Sequence, residues 1–209
     1  GEVLVLQPLV ALEGDDVEVG DVLFYALAGV THSPAWVSDQ SQTGDDYPFV
    51  PLPGDPGVLL EAARLGREVA ALPDPDSPIP GVTSGQIEAG LAGVAVPHVG
   101  GDRTLRHGTS GETGGQWTDD DEGTVWLNHD GCWRGVSEDI WDFTAAGYPL
   151  LRKYLAYRVG SQLSVAEIAQ ITGFCRRIAK LIALYPAADA LYSAAQTQPL
   201  IAAAAGVAP

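Results

Sequence analysis

Between Val19 and Ser38 the apolar residues Val22, Leu23, Ala26, Leu27 and Val30 recur at the spacing of a helix, which predicts a buried helix there. Pro34 has no N–H and disfavours helical geometry in the residue before it, so the helix is expected to break or restart near His32–Ser33. Tyr47-Pro48-Phe49-Val50-Pro51-Leu52-Pro53 alternates proline with other residues and predicts an extended segment. A second helix is predicted over Pro56–Leu72, with Asp55 as its N-cap and Leu59, Leu60, Ala63, Val69 and Ala70 on its apolar side.

Residues 73–81 read as a linker, and beyond them the texture changes to short apolar runs among Gly, Thr and Asp. Val94–Val96, Arg103–Arg106 and Thr124–Leu127 predict strands, while Gly108–Gly115 and the acidic run Asp119–Glu122 predict loops or hairpin tips. Helical periodicity returns over Tyr148–Arg158, where Tyr148, Leu151 and Leu155 are expected in the core. It continues over Ser164–Leu184, opened by the capping box Ser164-Val165-Ala166-Glu167, and over Ala187–Ala204. There is no internal repeat and no βαβ alternation. The fold class expected is α+β: N-terminal helices, a small antiparallel β region with long loops, and a C-terminal helical bundle. We divide it into a helical part (residues 1–80), a β-rich part (81–145) and a second helical part (146–209).

Composition narrows the function classes. The 209 residues are 46% hydrophobic with mean hydropathy +0.08, enough to bury a core. The 25 glycines and 15 prolines exclude a coiled coil and, lacking a repeat, a collagen-like chain. Twenty-seven acids against 11 bases give a net charge of −16, which argues against a simple basic nucleic-acid binder. The charge is uneven: residues 1–102 carry net −14 and residues 103–209 net −2, and within the latter, residues 131–185 are locally +3. That segment can still attract an anion at short range. Cys132 and Cys175 are either free thiols or one bridge. No run approaches 18 apolar residues, no basic segment opens the chain, and there is no Met. We therefore expect a piece of a longer polypeptide with no signal peptide and a cytoplasmic location.

Catalytic signatures are missing. No G-x-G-x-x-G follows a strand, and neither G-x-x-x-x-G-K-[ST] nor G-x-S-x-G occurs. His107, His129 and Cys132 are the one group with zinc-binding residue types, but no fourth ligand is evident, and ordinary loop residues are the simpler reading. Asp119–Glu122 lacks the glycine spacing of a calcium loop. No metal and no enzymatic activity are expected of this chain.

From residue 125 onward the motifs fall into a recognisable order. Val125-Trp126-Leu127-Asn128 leads to Gly135-Val136 and Trp141-Asp142-Phe143, then to Gly147-Tyr148-Pro149-Leu150-Leu151-Arg152-Lys153-Tyr154-Leu155 and Arg158, then to Leu163-Ser164. Upstream stand Asp21-Val22-Leu23-Phe24-Tyr25 with His32-Ser33-Pro34, Asp46-Tyr47-Pro48-Phe49-Val50-Pro51-Leu52-Pro53, and Leu65-Gly66-Arg67-Glu68-Val69. Over about residues 20–185 this order resembles the C-terminal target-recognition (specificity) domain of large adenine-specific DNA methyltransferases, in particular type ISP restriction–modification enzymes. Phe49, Tyr154 and Ala146 stand where that pattern has Arg, Trp and Gly.

The resemblance implies double-stranded DNA as partner, and a bacterial parent polypeptide holding the methyltransferase, its S-adenosylmethionine and possible helicase and nuclease domains. Base reading needs forked polar side chains, and the β region offers Arg103, Arg106, Gln116, Asn128 and Arg134. Arg152 and Lys153 are candidates for phosphate, or equally for pairing with Glu138 or Asp139. Arg158 suits a helix C-terminus, Arg176 and Arg177 suit a helix surface, and Asp142 suits a turn or cap. Trp117, Trp133 and Trp141 read as packing residues. The alternative is an acidic protein-interaction module of the same fold, docking on other domains or a basic partner.

Overall fold

The computed structural model describes residues 18–42, 49–108, 115–120, 122–145, 147–197 and 199. The chain divides into two compact units, one formed within Gly1–Pro73 and Ala183–Pro209, the other by Asp74–Ile182.

The first unit is helical. Helix α1 (Val19–Phe24) runs without a break into a π-helical stretch, Tyr25–Val30. Opposite it lies α3 (Pro56–Ala71), and glycine on each side sets the spacing. A Cβ on Gly66 would lie 2.2 Å from the Phe24 carbonyl oxygen, and one on Gly29 would lie 2.4 Å from that of Ala62, so the two backbones touch. The chain breaks at Thr31–Ser33 as expected, and α2 (Pro34–Gln42) restarts with proline where no N–H is required. Helix α8 (Tyr185–Thr197) closes the unit: Asp189 Oδ1 accepts from the Ser33 hydroxyl (2.5 Å) and the Ala35 N–H (3.0 Å), capping α2. Tyr25, Leu59, Ala63, Leu191 and Tyr192 share the core.

Two details of the expected helix faces change. Leu23 is 53% exposed rather than buried, while Val30 is fully buried; the side chains of Ala26 and Leu27 lie outside the described part, as do Tyr47 and Pro48 of the proline segment. In α3 Asp55 is the N-cap, accepting from the Gly57 N–H at 2.8 Å. Its buried stripe runs through Leu59, Ala62, Ala63, Leu65 and Gly66, leaving Ala70 exposed, because the α1–π surface meets α3 along Gly66.

The second unit carries the sheet. Its strands β1 (Val96–His98), β2 (Gln116–Thr118), β3 (Thr124–Trp126) and β4 (Cys132–Arg134) are antiparallel in the order β1-β4-β3-β2. A short helix α4 (Ala89–Ala92) precedes β1. The strand expected at Val94 starts two residues later, because Ala95 turns the chain at φ +49° and Gly135 presses against Gly93, where a Cβ would come within 2.1 Å of the Gly93 oxygen. Arg103–Arg106 is extended but bonds to two different segments instead of joining the sheet: Arg106 N–H to Leu127 O (3.0 Å) and Leu105 N–H to Ser161 O (3.0 Å). Asp119, Asp120 and Glu122 form the β2–β3 tip; Asp121 and residues 109–114 lie outside the described part.

Helix α5 (Glu138–Trp141) ends at Asp142, and β5 (Thr144–Ala145) pairs with β6 (Tyr148–Pro149). Helix α6 then spans Leu150–Ala156, shorter than expected. Pro149 holds Tyr148 in extended geometry, so Tyr148 belongs to a hairpin and is 46% exposed, not a core residue; Leu151 and Leu155 are buried as expected. Helix α7 (Val165–Ala183) opens on its capping box: Ser164 Oγ accepts from the Glu167 N–H (3.1 Å), and Glu167 Oε2 accepts from the Ser164 N–H (2.8 Å). Trp133, Trp141, Leu151, Leu155, Ile171 and Cys175 lie in one core with Val125. Arg177 is buried, not a surface cover, and donates to the Ser77 carbonyl at 2.7 Å, which ties residue 77 to α7. Residues 198 and 200–204 of the last expected helix fall outside the described part. Among the described residues no helix is long and apolar enough to cross a membrane.

Candidate nucleic-acid interface

Directly paired residues of an antiparallel sheet share a face, and successive residues alternate faces. The register Pro97–Trp133–Val125–Trp117 therefore defines one face, and its Trp133 and Val125 lie in the core. The opposite face holds two rows: Val96, Arg134, Thr124, Thr118 and His98, Cys132, Trp126, Gln116. Gln116 and Arg134, both singled out in the sequence, thus share the face opposite Trp133 and Val125, at diagonal positions in different rows, with the buried Thr124 and Cys132 between them. They are two strands apart and two residues out of line along the strands, roughly 12 Å in all. His98 is exposed and Trp126 half-buried on this face, with the Trp126 indole N–H donating to Thr118 Oγ1 at 3.1 Å. Neither is singled out as a site residue in the sequence, since only the register places Trp126 opposite Gln116 and His98 diagonal to Arg134.

Asn128 joins the sheet to the segment that carries Arg103 and Arg106. Its Nδ2 donates to the Asp102 and Thr104 carbonyls (3.0 and 3.1 Å), and its Oδ1 accepts from the N–H groups of Asp130 and Gly131 (both 2.9 Å). A carboxamide so used, in a residue only 7% exposed, has nothing left for a base edge. Arg106 pairs with Asp102 at 3.4 Å. The Thr104 N–H, the Thr104 hydroxyl and then Arg106 hold the Asp102 carboxyl below its ordinary value. Arg103 is half-buried, with its Nε buried and lacking a partner among the described residues.

Arg152 ion-pairs with Asp142, not with Glu138 or Asp139, and its guanidinium lies 5.3 Å from the Trp141 ring centre. Lys153 is exposed. Neither it nor Arg134 has an acidic partner among the described residues. Arg158 lies 3.6 Å from the Tyr154 ring centre and donates to the Tyr154 carbonyl. In the helical unit, by contrast, Arg67 pairs with Asp21 at 2.5 Å and Arg64 faces Glu68 at 4.0 Å. The charge divides the same way: the helical unit carries net −11 with these two bases, and the sheet-bearing unit net −5 with the other nine.

The candidate zinc group does not assemble: His129 pairs with Asp130 (2.9 Å), Cys132 is buried, and no three His, Cys, Asp or Glu side chains converge among the described residues. Both cysteines are free and buried, and burial pushes the Cys175 thiol up to about 12.

These features define an α+β fold whose sheet carries Arg134 and Gln116 on one face, in a unit where Arg134 and Lys153 have no acidic partner among the described residues. The model of the Type ISP C-terminal specificity domain matches residues 8–179, and the chain belongs to that family. Among solved structures the chain is similar to a nuclease-deletion mutant of the Type ISP restriction-modification enzyme LlaGI in complex with a DNA substrate mimic. The TM-score is 0.50 at 13% identity, over 83% of this chain and 14% of that one, a likeness of fold. This chain therefore corresponds to a small part of that enzyme's length. No curated protein matches it.

Proposed function

We propose that this chain is a DNA target-recognition module without a catalytic centre of its own, working inside a longer restriction–modification polypeptide. The observation that carries the reading is the placement of the exposed Arg134 and the half-buried Gln116 on one sheet face, opposite Trp133 and Val125, with Arg103 and Lys153 of the same unit also without an acidic partner among the described residues. Family membership and the solved relative's DNA substrate mimic support duplex DNA as the ligand. In this reading Arg134 presents the fork that fits guanine N7 and O6, Gln116 the pair that fits adenine N6 and N7, and Lys153 a charge for phosphate. Arg103 supports them from the neighbouring segment, while Arg106 and Arg152 are committed to Asp102 and Asp142. S-adenosylmethionine, adenine methyl transfer and any helicase or nuclease step belong, in this proposal, to the rest of the parent polypeptide in a bacterial cytoplasm.

The test is a titration of duplex DNA at low and moderate salt. Arg134→Ala or Gln116→Ala should relax discrimination at one base pair by about 1–3 kcal/mol while leaving non-specific binding in place. Both variants keeping the parent's preference would sink the assignment. Incubation of the isolated chain with labelled S-adenosylmethionine and DNA should give no methyl transfer. The net −11 of the helical unit favours a second reading, docking on a basic surface of another protein segment. Duplex binding that is indifferent to every substitution above, together with salt-sensitive binding to a basic segment of the parent, would favour that reading.

A further inference from the structure

Tyr148 and Tyr157 are 46% and 76% exposed, yet their hydroxyls meet at 3.1 Å. One stands on β6 and the other at the C-terminus of α6, so hairpin and helix are joined at a point open to water. Lys153 lies one helical turn before Tyr157, whose N–H donates to its carbonyl at 3.2 Å. Residues at that spacing share a helix face, with Cβ atoms about 5–6 Å apart. Lys153 is exposed and has no acidic partner among the described residues, while the adjacent Arg152 is taken by Asp142.

The chemistry of the trio is specific. In a hydroxyl pair one phenol donates to the other, and the acceptor keeps its own proton free to point outward. The bond it receives polarises that O–H. The hydrogen bond with the Tyr157 hydroxyl holds the Tyr148 phenol above its ordinary value, so Tyr148 stays protonated at neutral pH. The trio thus offers one polarised neutral donor beside one ammonium, a single positive charge. A phosphodiester offers one negative charge spread over two acceptor oxygens, and Tyr and Lys are among the side chains that contact DNA phosphates.

We propose that Tyr148, Lys153 and Tyr157 form a clamp for one phosphodiester of the DNA backbone, distinct from the sheet face. The proposal rests on the DNA-reading role above and adds the contact that sets the domain's register on the duplex.

The experiment titrates the whole 209-residue chain with duplex DNA across a salt series, comparing Lys153→Ala, Lys153→Arg, Tyr148→Phe and Tyr157→Phe. Lys153→Ala should weaken all sequences alike, by about tenfold, and lower the salt slope by about 0.9, the contribution of one phosphate. Lys153→Arg should restore the slope. Each Tyr→Phe change keeps its ring, and should weaken binding about fivefold with the slope and the sequence preference unchanged. A duplex with one neutral methylphosphonate at the clamped position should bind the parent chain as weakly as Lys153→Ala, and lose nothing more from that variant. If Arg134→Ala alters base preference while all the clamp variants bind like the parent at every salt concentration, the clamp is refuted and the DNA-reading role stands. If the parent chain does not bind duplex DNA at all, both fall. Lys153 is exposed and outside the hydroxyl pair, so its result holds even if a Tyr→Phe change loosens the hairpin.

Discussion

A carboxamide has two N–H donors and an acceptor oxygen, and Asn128 uses all of them on the main chain. Asn128→Ala should therefore cost about 3 kcal/mol in urea denaturation, since it strands buried carbonyl and N–H groups. A loss of base preference with no loss of stability would make Asn128 a reader after all. Leu151→Ala or Leu155→Ala, at fully packed sites, should each cost about 2–5 kcal/mol. A cost below about half a kcal/mol at both would contradict the packing of α6. The identity of Asn128 is plain in the sequence. Its commitment is not, because its partners Asp102 and Thr104 lie more than twenty residues away in the chain.

At the scale of elements, α7 shows how local chemistry marks a boundary. Ser164 and Glu167 satisfy each other's N–H groups, and Ser164→Ala should cost about 1 kcal/mol. The Ser164 N–H and then its hydroxyl hold the Glu167 carboxyl below its ordinary 4.5. Asp21 is likewise held below 3.8, first by the Glu18 N–H and then by Arg67. Both carboxylates are favoured in the folded state, so their contribution is fully present above the ordinary value and is lost as pH falls below about 4 through the depressed value. Acid titration of stability should show this limb, with a smaller drop in Ser164→Ala. An acid limb unchanged in that variant would mean that the Ser164 hydroxyl does not stabilise the Glu167 carboxylate. The element misread from sequence is equally instructive. Tyr148 has helical spacing to Leu151 and Leu155, but Pro149 excludes helical geometry before it, and Tyr148 went to a hairpin.

Over the whole molecule, described segments from the first third of the sequence and from its last thirty residues build one unit. Residues from Ala183 onward supply Asp189 to cap α2 and Leu191, Tyr192 and Ala195 to its core. A chain ending at Ala183 should leave residues 18–73 open to limited proteolysis while residues 74–182 resist it. Equal resistance of both segments would show that α8 is dispensable to the helical unit. The free thiols should stay silent to alkylation until the fold is disrupted, given their burial and the raised Cys175 value. Rapid labelling of native protein would place a cysteine at the surface.

Local rules were enough for the features that neighbours along the chain decide: the break before Pro34, the Asp55 cap, the Ser164 box, and the α+β character that follows from periodicities of 3.6 and 2. The order of motifs along the chain likewise points to the family. Packing decided what depends on distant partners. A π-helical stretch faces α3 because Gly29 and Gly66 allow backbone contact, and no periodicity within residues 19–38 encodes that contact. Which arginines remain unpaired depended on where Asp102 and Asp142 came to rest. The placement of Gln116 and Arg134 on one face required the register of four strands, each of three residues and so too short to show that face by alternation alone.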